Sequence, residues 1–268
     1  MKVIETETVS KRETMIPLTI VEADNFPAGL LLCVHGFKAG RTEDGRFLEV
    51  AETLAADNIA SVMMGFPGCD ESKEDFINYT LKNCLDDIDS ARKYMEDHYE
   101  LNGKVGMIGY SMGGRLTAMY IGDHPEVSCI GLWAAATYDG FGGSDEFLGM
   151  NIEQMKTEAE EKGYCDFHNE FDNTDIKLNK ELIEQMDECV ISDNLSRYQG
   201  AALIVHGDND ITVPYTTAIS TYNCLKSPRE RKLVTVEGAD HGFGAWNNRP
   251  DLSKQLTDAT ISFFRRNL

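Results

Sequence analysis

The sequence is poor in the features that mark several classes of protein. Its 268 residues include only 7 prolines and 23 glycines, and apolar runs are frequent, so collagen-like, coiled-coil and disordered chains are excluded. No stretch approaches the roughly 20 apolar residues that a membrane-spanning helix requires. The N-terminal segment has no apolar stretch of the secretory kind. We therefore expect a soluble, cytoplasmic protein without a membrane partner.

Basic residues are scarce as well. There are 25 lysines and arginines against 45 acids, which gives a net charge of −20 at pH 7, and no local basic patch is found. A surface of this charge repels phosphate backbones, so the sequence argues against a nucleic-acid partner. The seven cysteines form no CxxC pair, and their odd number favours reduced thiols over a disulfide framework.

Short apolar runs alternate with longer helical patterns, which is typical of a mostly parallel sheet built from βαβ units. The length suits one large α/β domain or two small ones. The predicted buried strands cover residues 30–35, 60–66, 104–110, 128–134 and 201–206. The spacing of apolar residues predicts helices over 81–99 and 252–264.

The segment from Asp139 to Arg197 breaks this rhythm. It is first glycine-rich and then strongly polar, it carries a net charge of −11, and it holds no good buried strand. About 60 residues of this kind inside an α/β chain indicate an inserted subdomain rather than a connecting loop. We expect helices over 150–163 and 180–189. The predicted division is a core of residues 1–138 and 198–268, with an inserted cap or lid of residues 139–197.

One motif joins a predicted strand directly to a predicted helix. The stretch VGMIGYSMGG carries Gly109, Ser111 and Gly113 in a GxSxG pattern, just before the helical residues 115–121. This is the context of a nucleophile elbow, where a sharp turn strains the serine backbone and the glycines avoid clashes with neighbouring chain. The serine oxygen then stands at a helix N-terminus, where partial positive charge favours a developing anion. Ser111 is therefore the predicted nucleophile.

A nucleophilic serine needs a histidine base, and the base needs an orienting carboxylate. In hydrolases with this elbow the acid and then the histidine follow the serine along the chain. His241 fits best, because it sits in a glycine-bracketed turn between a predicted strand, 232–236, and the last helix. The other histidines after Ser111 are interpreted as structural or surface residues: His124 at a helix end, His168 in the polar insertion and His206 at a strand end.

Asp208 and Asp210 compete for the role of the acid, since both come just after the strand that ends at His206. Asp240 is interpreted as a turn residue, because neighbouring side chains rarely meet in the geometry required of Asp and His. Loops at the carboxyl ends of parallel strands are where such sheets place their sites. The residues alone leave the choice between Asp208 and Asp210 open.

The same chemistry requires an oxyanion hole. His35, Gly36 and Phe37 follow the first buried strand as an HG-type turn, whose backbone amide complements that of the residue after the nucleophile. The predicted donors are the backbone N–H groups of Phe37 and Met112.

Across essentially the whole chain these motifs resemble the α/β-hydrolase superfamily, in its serine-hydrolase branch. The matching elements are HGF at 35–37, GYSMGG around Ser111, HGDNDITVP and EGADHGF around His241. The resemblance implies that Asp210 is the acid. Within the superfamily, the phrase DNIASVMMGFPGCDES and the place of the insertion are most similar to bacterial cinnamoyl (feruloyl) esterases and related capped carboxylesterases. This implies an α/β-hydrolase fold and an ester substrate held between the core and a small cap.

The expected protein is thus a serine carboxylesterase that forms an acyl-enzyme. Its substrate is expected to be a small cinnamoyl, feruloyl or short-chain acyl ester, and no metal or organic cofactor is expected. A homodimer is left open by the sequence. The candidates for lining the substrate pocket are Trp133, Phe141, Phe147 and Leu148.

Three alternatives remain. A peptidase of the acyl-aminoacyl or prolyl type shares this catalytic core, but the large accessory domain typical of those peptidases is missing. A non-catalytic relative that binds a ligand would need no complete set of nucleophile, base and acid. A thiol-dependent enzyme built on Cys69 is disfavoured, because that cysteine has no histidine neighbour in the sequence.

Overall fold

The computed structural model describes residues 1–169 and 173–268. Its strands are, in chain order, β1 (Val3–Val9), β2 (Met15–Val21), β3 (Ala28–Val34), β4 (Ile59–Met64), β5 (Leu101–Tyr110), β6 (Val127–Trp133), β7 (Glu146–Phe147), β8 (Met150–Asn151), β9 (Tyr164–Asn169), β10 (Thr174–Asn179), β11 (Ala201–Gly207) and β12 (Glu230–Val236). Its α-helices are α1 (Arg46–Ala55), α2 (Leu81–His98), α3 (Met112–Asp123), α4 (Ile152–Lys162), α5 (Lys180–Glu188), α6 (Ile191–Arg197), α7 (Tyr215–Cys224) and α8 (Pro250–Asn267).

Eight strands form one sheet in the order β1-β2-β4-β3-β5-β6-β11-β12. The pairs β1–β2 and β2–β4 are antiparallel, and the other neighbours are parallel. The mostly parallel sheet flanked by helices that the sequence predicts is confirmed. Because β3, β5, β11 and β12 run the same way, the residues that follow their carboxyl ends meet at one edge of the sheet.

Helices cover both faces of this sheet, which is why its central strands are apolar at successive positions. Every residue of β3 and of β11 is buried. On one face the core includes side chains of α1 and α8, such as Phe47 and Phe264. On the other face it includes side chains of α2 and α3, such as Ile88 and Leu116. A two-sided core of this kind fixes the sheet edge that carries the site.

The predicted strands and helices lie within a few residues of those observed, and the N-terminal hairpin is the main element that was not predicted. In β1 the residues alternate between exposed and half-buried, as expected for an edge strand with one face in solvent. The alternation of polar and apolar residues in this part of the sequence was the available signal.

The segment 139–197 contributes no strand to the main sheet in its described residues, 139–169 and 173–197. It holds α4, α5 and α6 and two antiparallel hairpins, β7–β8 and β9–β10. The segment was expected to hold no good buried strand, and β9 is buried on one face only: Cys165, Phe167 and Asn169 are buried while alternate residues are not. The hairpin of β9 and β10 was not predicted, because the polar residues of its other face interrupt the apolar pattern. Residues 170–172 of the predicted cap lie outside the described residues.

Within the described parts of the chain, no helix combines the length and the apolar character needed to cross a membrane.

Candidate active site

Ser111 stands in the sharp turn between β5 and α3, with φ 53° and ψ −115°. The flanking glycines explain how the chain makes this turn. A Cβ on Gly109 would lie 2.3 Å from the carbonyl oxygen of Gly113, and a Cβ on Gly113 would lie 2.0 Å from that of Val34. Only glycine fits at both positions, and Ser111 keeps a strained conformation because the surrounding chain enforces it.

His241 brings its ring against Ser111 from the loop between β12 and α8. Its Nε2 lies 3.0 Å from Ser111 Oγ, and its Nδ1 lies 2.7 Å from Asp210 Oδ2. Side chains that are 130 and 31 residues from His241 in the sequence thus meet it at hydrogen-bonding distance. The structure brings these three predicted residues together in the order nucleophile, base and acid.

Asp210 is buried, and its carboxylate is well supplied with donors. Oδ1 accepts hydrogen bonds from the backbone N–H groups of Thr212, at 2.9 Å, and Val213, at 2.8 Å. Burial alone raises the pKa of this carboxyl, but hydrogen bonds with His206 and His241 outweigh burial and lower the pKa to about 2. An ionised carboxylate only accepts, so Nδ1 of His241 carries the proton. In the neutral ring Nε2 is then free to accept the Ser111 hydroxyl proton.

The competing aspartates have other partners. Asp208 Oδ1 accepts a hydrogen bond from the N–H of Gly238 at 2.6 Å, which joins the loop after β11 to the loop after β12. Asp240 Oδ1 accepts from the N–H of Gly244 at 3.0 Å. Both therefore hold turns around the site, and neither is paired with His241 in the way that Asp210 is.

His206 is a site residue that sequence reasoning missed. Its side chain is fully buried, and its Nε2 lies 2.8 Å from the carbonyl oxygen of Val213 and 3.2 Å from Asp210 Oδ2. The interpretation of His206 as a residue that packs at a strand end accounts for its burial but not for its contact with Asp210. The spacing His206-x-x-x-Asp210 was the available signal, since His206 lies at the end of β11 and Asp210 in the turn that follows it.

The two predicted oxyanion donors lie beside the nucleophile. Phe37, Ser111 and Met112 all line one cavity. Neither the N–H of Phe37 nor that of Met112 donates a hydrogen bond within the described residues, and the first amides of a helix such as α3 have no partner inside the helix. Two unengaged donors next to the serine can stabilise a negatively charged oxygen.

The cavity has a volume of about 900 Å³, and nearly half of its lining residues come from the segment 139–197. Phe37 makes edge-to-face contacts with Phe147 and Phe167, with centroids 6.0 and 6.2 Å apart. The predicted Phe141, Phe147 and Leu148 all line the cavity. The lining also includes side chains with hydroxyl groups, among them Thr137, Ser192, Thr216, Thr217 and Ser220.

Trp133 is the one pocket candidate that the structure contradicts. It is fully buried on the face of the sheet covered by α1 and α8, where its ring lies 5.0 Å from that of Phe47. Its Nε1–H donates to Thr260 Oγ1 at 2.9 Å. Alternate residues of a strand point to opposite faces, so its position at the strand end next to the site did not settle which way the side chain turned.

Residues 46–268 match the prolyl oligopeptidase family. No curated protein matches the chain. Among solved structures, the fold is similar to Est1E from Butyrivibrio proteoclasticus with ferulic acid bound, at 21% identity and a TM-score of 0.81, covering 98% of this chain and 99% of that one. It is also similar to a monoacylglycerol lipase from Paleococcus ferrophilus, at 15% identity and a TM-score of 0.70, covering 99% of each chain.

Proposed function

Because the chain belongs to the prolyl oligopeptidase family and is a serine hydrolase, we propose that it is a carboxylic ester hydrolase acting through Ser111, His241 and Asp210. The observation that carries this proposal is the unbroken hydrogen-bonded series from Ser111 Oγ through His241 to Asp210 Oδ2, with distances of 3.0 and 2.7 Å. The arrangement matches what a serine needs in order to attack a carbonyl at neutral pH.

In this proposal Ser111 Oγ attacks the ester carbonyl while His241 Nε2 takes the hydroxyl proton. The oxyanion that forms accepts hydrogen bonds from the Phe37 and Met112 amides, and Asp210 stabilises the imidazolium. The alcohol leaves with the proton from His241. Water, deprotonated by His241, then hydrolyses the acyl-enzyme, releases the carboxylic acid and restores Ser111.

The proposed substrates are small aromatic-acyl esters, of the cinnamoyl or feruloyl kind, or short-chain acyl esters. The rings of Phe37, Phe147 and Phe167 meet edge to face along one side of the cavity, which suits a flat apolar acyl group. A structural neighbour of this fold is solved with ferulic acid. Residues 139–197 are proposed to act as the cap over this group, since they supply nearly half of the residues that line the cavity, including Phe141, Phe147 and Phe167.

Hydrolysis of a small ester panel by the wild type and by Ser111→Ala tests the proposal. The panel contains p-nitrophenyl acetate, butyrate and octanoate with methyl ferulate and methyl p-coumarate. Preference for the hydroxycinnamates that disappears in the variant supports the aromatic-acyl assignment. Turnover of short-chain esters alone keeps the mechanism and discards that substrate. If no ester is cleaved, or if Ser111→Ala is as active as the wild type, the proposal fails.

A serine peptidase of the acyl-aminoacyl or prolyl type is the second candidate, and the family match favours it. An acyl-enzyme formed from an amide differs only in the leaving group, which His241 must protonate as an amine. Assays with N-acetylalanine p-nitroanilide and glycylproline p-nitroanilide, set beside p-nitrophenyl acetate, separate the two. A higher kcat/KM for either anilide than for the ester would replace the esterase assignment.

A further inference from the structure

A buried ion pair lies between the turn after β3, the end of β5 and the loop after β12, which lead to Phe37, Ser111 and His241. Glu43 and Arg46 are both buried, and Arg46 Nη2 lies 3.5 Å from Glu43 Oε2. Neither side chain lines the cavity. A charged pair that is removed from water carries a desolvation cost and is weak evidence for stability on its own. The hydrogen bonds that Glu43 and Arg46 make to other residues therefore indicate the role of the pair.

Glu43 holds the turn that contains the proposed oxyanion donor. The N–H of Gly36 donates to Glu43 Oε1 at 2.5 Å. The amide that precedes Phe37 is thus engaged, while that of Phe37 donates to no group in the described residues. Holding Gly36 restricts the direction in which the Phe37 N–H points.

Arg46 connects Glu43 to the loop that carries His241, which is called the histidine loop below. Its Nη1–H donates to the carbonyl oxygen of Gly242 at 3.0 Å, and its guanidinium lies 5.1 Å from the ring centroid of Tyr110. The hydroxyl of Tyr110, next to the nucleophile, donates to the backbone oxygen of His241 at 2.9 Å. Glu43 and Arg46 therefore connect the oxyanion turn with the segments on both sides of the Ser111–His241 contact.

The backbone of the turn that contains Glu43 is strained. Glu43 and Asp44 have φ of 49° and 53°, and Gly45 follows at 84°. Left-handed backbone is unfavourable for a non-glycine residue, and such outliers cluster at functional sites. Two successive strained residues direct a carboxylate into the core beneath Gly36.

We propose that Glu43, through Arg46, is a positioning residue that sets the oxyanion turn and the histidine loop relative to each other. It acts through the backbones of Gly36 and Gly242 and touches no substrate. This role rests on the proposed hydrolytic function, because it matters only where an oxyanion and an imidazolium form together.

The charge of Glu43 changes within the range of an activity assay. Burial raises the pKa of its carboxyl to about 7, although the hydrogen bond from Gly36 and the charge of Arg46 act in the opposite direction. Only the ionised form attracts the guanidinium. The titratable and charged groups that face it are Arg46 on α1, Asp44 in its own turn, Tyr110 at the end of β5, Cys69 after β4 and Tyr79 before α2.

The test compares Glu43→Gln, Glu43→Ala and the control Glu52→Gln, which removes an exposed carboxylate from α1. Two rates are measured between pH 5.5 and 8.5: kcat on p-nitrophenyl acetate and labelling of Ser111 by a fluorophosphonate. Glutamine can still accept from Gly36, so Glu43→Gln should stay within threefold of the wild type at pH 5.5. At pH 8.5 it should be at least tenfold slower, with KM nearly unchanged. Glu43→Ala, which has no acceptor, should be slow at every pH, and Glu52→Gln should follow the wild type.

A ratio of wild-type to Glu43→Gln rates that is constant with pH would overturn the proposal, because a purely structural role does not follow the charge of Glu43. Rates equal to those of the wild type in both Glu43 variants would overturn it as well. Those outcomes leave the proposed function standing. A wild type that neither hydrolyses the ester nor reacts with the fluorophosphonate would overturn the proposed function, and this role with it.

Discussion

Asp210 Oδ2 is shared by two histidines, at 2.7 Å from Nδ1 of His241 and 3.2 Å from Nε2 of His206. Nε2 of His206 faces two acceptors, this carboxylate and the Val213 carbonyl oxygen, so it carries a proton. Its Nδ1 is buried without a hydrogen-bond partner in the described residues. A buried ring with one side unsatisfied is kept in place by what its other side does, and here the one N–H is shared between the Val213 carbonyl oxygen and the acid.

Loss of this donor should slow catalysis without removing it. In His206→Phe the ring volume is kept and the hydrogen bond to Asp210 is lost. A hydrogen bond to a charged group contributes about 1.5–3 kcal/mol, and if half of that reaches the transition state, kcat on p-nitrophenyl acetate falls by roughly 4- to 13-fold. The control is His98→Phe, at the exposed end of α2 and outside the cavity lining, which should keep the wild-type kcat. An unchanged kcat in His206→Phe would show that His206 only fills space.

The two aspartates that the sequence left open should respond very differently to loss of charge. Asp210→Asn can no longer hold His241 in the required tautomer, and kcat should fall by roughly 10⁴-fold. Asp208→Asn retains an oxygen that can accept from Gly238, so kcat should change by less than threefold. Steady-state kinetics of the two variants decide the assignment. A larger loss in Asp208→Asn would refute it.

The features of this protein that can be predicted from its sequence are those that depend on neighbouring residues in the chain. Gly109 and Gly113 are required by the turn at Ser111, and the successive apolar residues of β3 and β11 follow from burial on both faces. The roles of Glu43, Arg46 and His206 depend on contacts between residues far apart in the chain or on a loop that folds back. Arg46, for example, reaches Gly242 across 196 residues. The position of Trp133 was wrong for a related reason, because a strand end does not reveal the face to which its last side chain points.

The aromatic wall should separate substrates by their acyl groups. Phe147 lines the cavity and contacts Phe37 edge to face, so Phe147→Ala removes apolar surface that an aromatic acyl group would cover. Fully burying a phenylalanine is worth about 1.5–3 kcal/mol. We therefore expect kcat/KM to fall at least tenfold for an aromatic-acyl ester such as methyl ferulate and less than threefold for p-nitrophenyl acetate.

Trp133 serves as the matched comparison. Trp133→Phe loses the hydrogen bond to Thr260 Oγ1, which costs about 1 kcal/mol of unfolding free energy. Because Trp133 lies in the core away from the cavity, KM should stay the same for both esters. Urea unfolding and steady-state kinetics on the same preparation check this. A change in KM for the aromatic ester alone would show that Trp133 does contribute to the substrate pocket.

Stability should fall as the pH rises through the range in which Glu43 ionises. Burial raises its pKa from about 4.5 to about 7 in the folded chain. Below pH 4.5 the carboxyl is protonated in both states and its contribution to stability is fully present. That contribution is lost as the pH rises through 7, at most about 3 kcal/mol. Urea unfolding at pH 5 and pH 8 should show a smaller loss for Glu43→Gln than for the wild type. An equal loss in both would assign the pH dependence to other groups.

The charge around the cavity should discriminate against anionic esters. Asp139 and Glu146 line it, whereas no lysine or arginine does so in the described residues. The remaining titratable side chain on the wall that could be cationic, His168, lies 2.8 Å from Asp175. A negatively charged acyl group therefore approaches like charges without a counterion, which slows encounter and weakens binding.

At low ionic strength, mono-p-nitrophenyl succinate should have a kcat/KM at least tenfold below that of p-nitrophenyl butyrate, an acyl chain of the same length without the charge. Added salt should narrow the difference, since mobile ions screen charges at the mouth of an open cavity. Glu146→Gln should narrow it further, whereas Glu52→Gln, on α1 and away from the cavity, should not. Equal kcat/KM values for the two esters at low salt would mean that the lining acids do not act on the substrate.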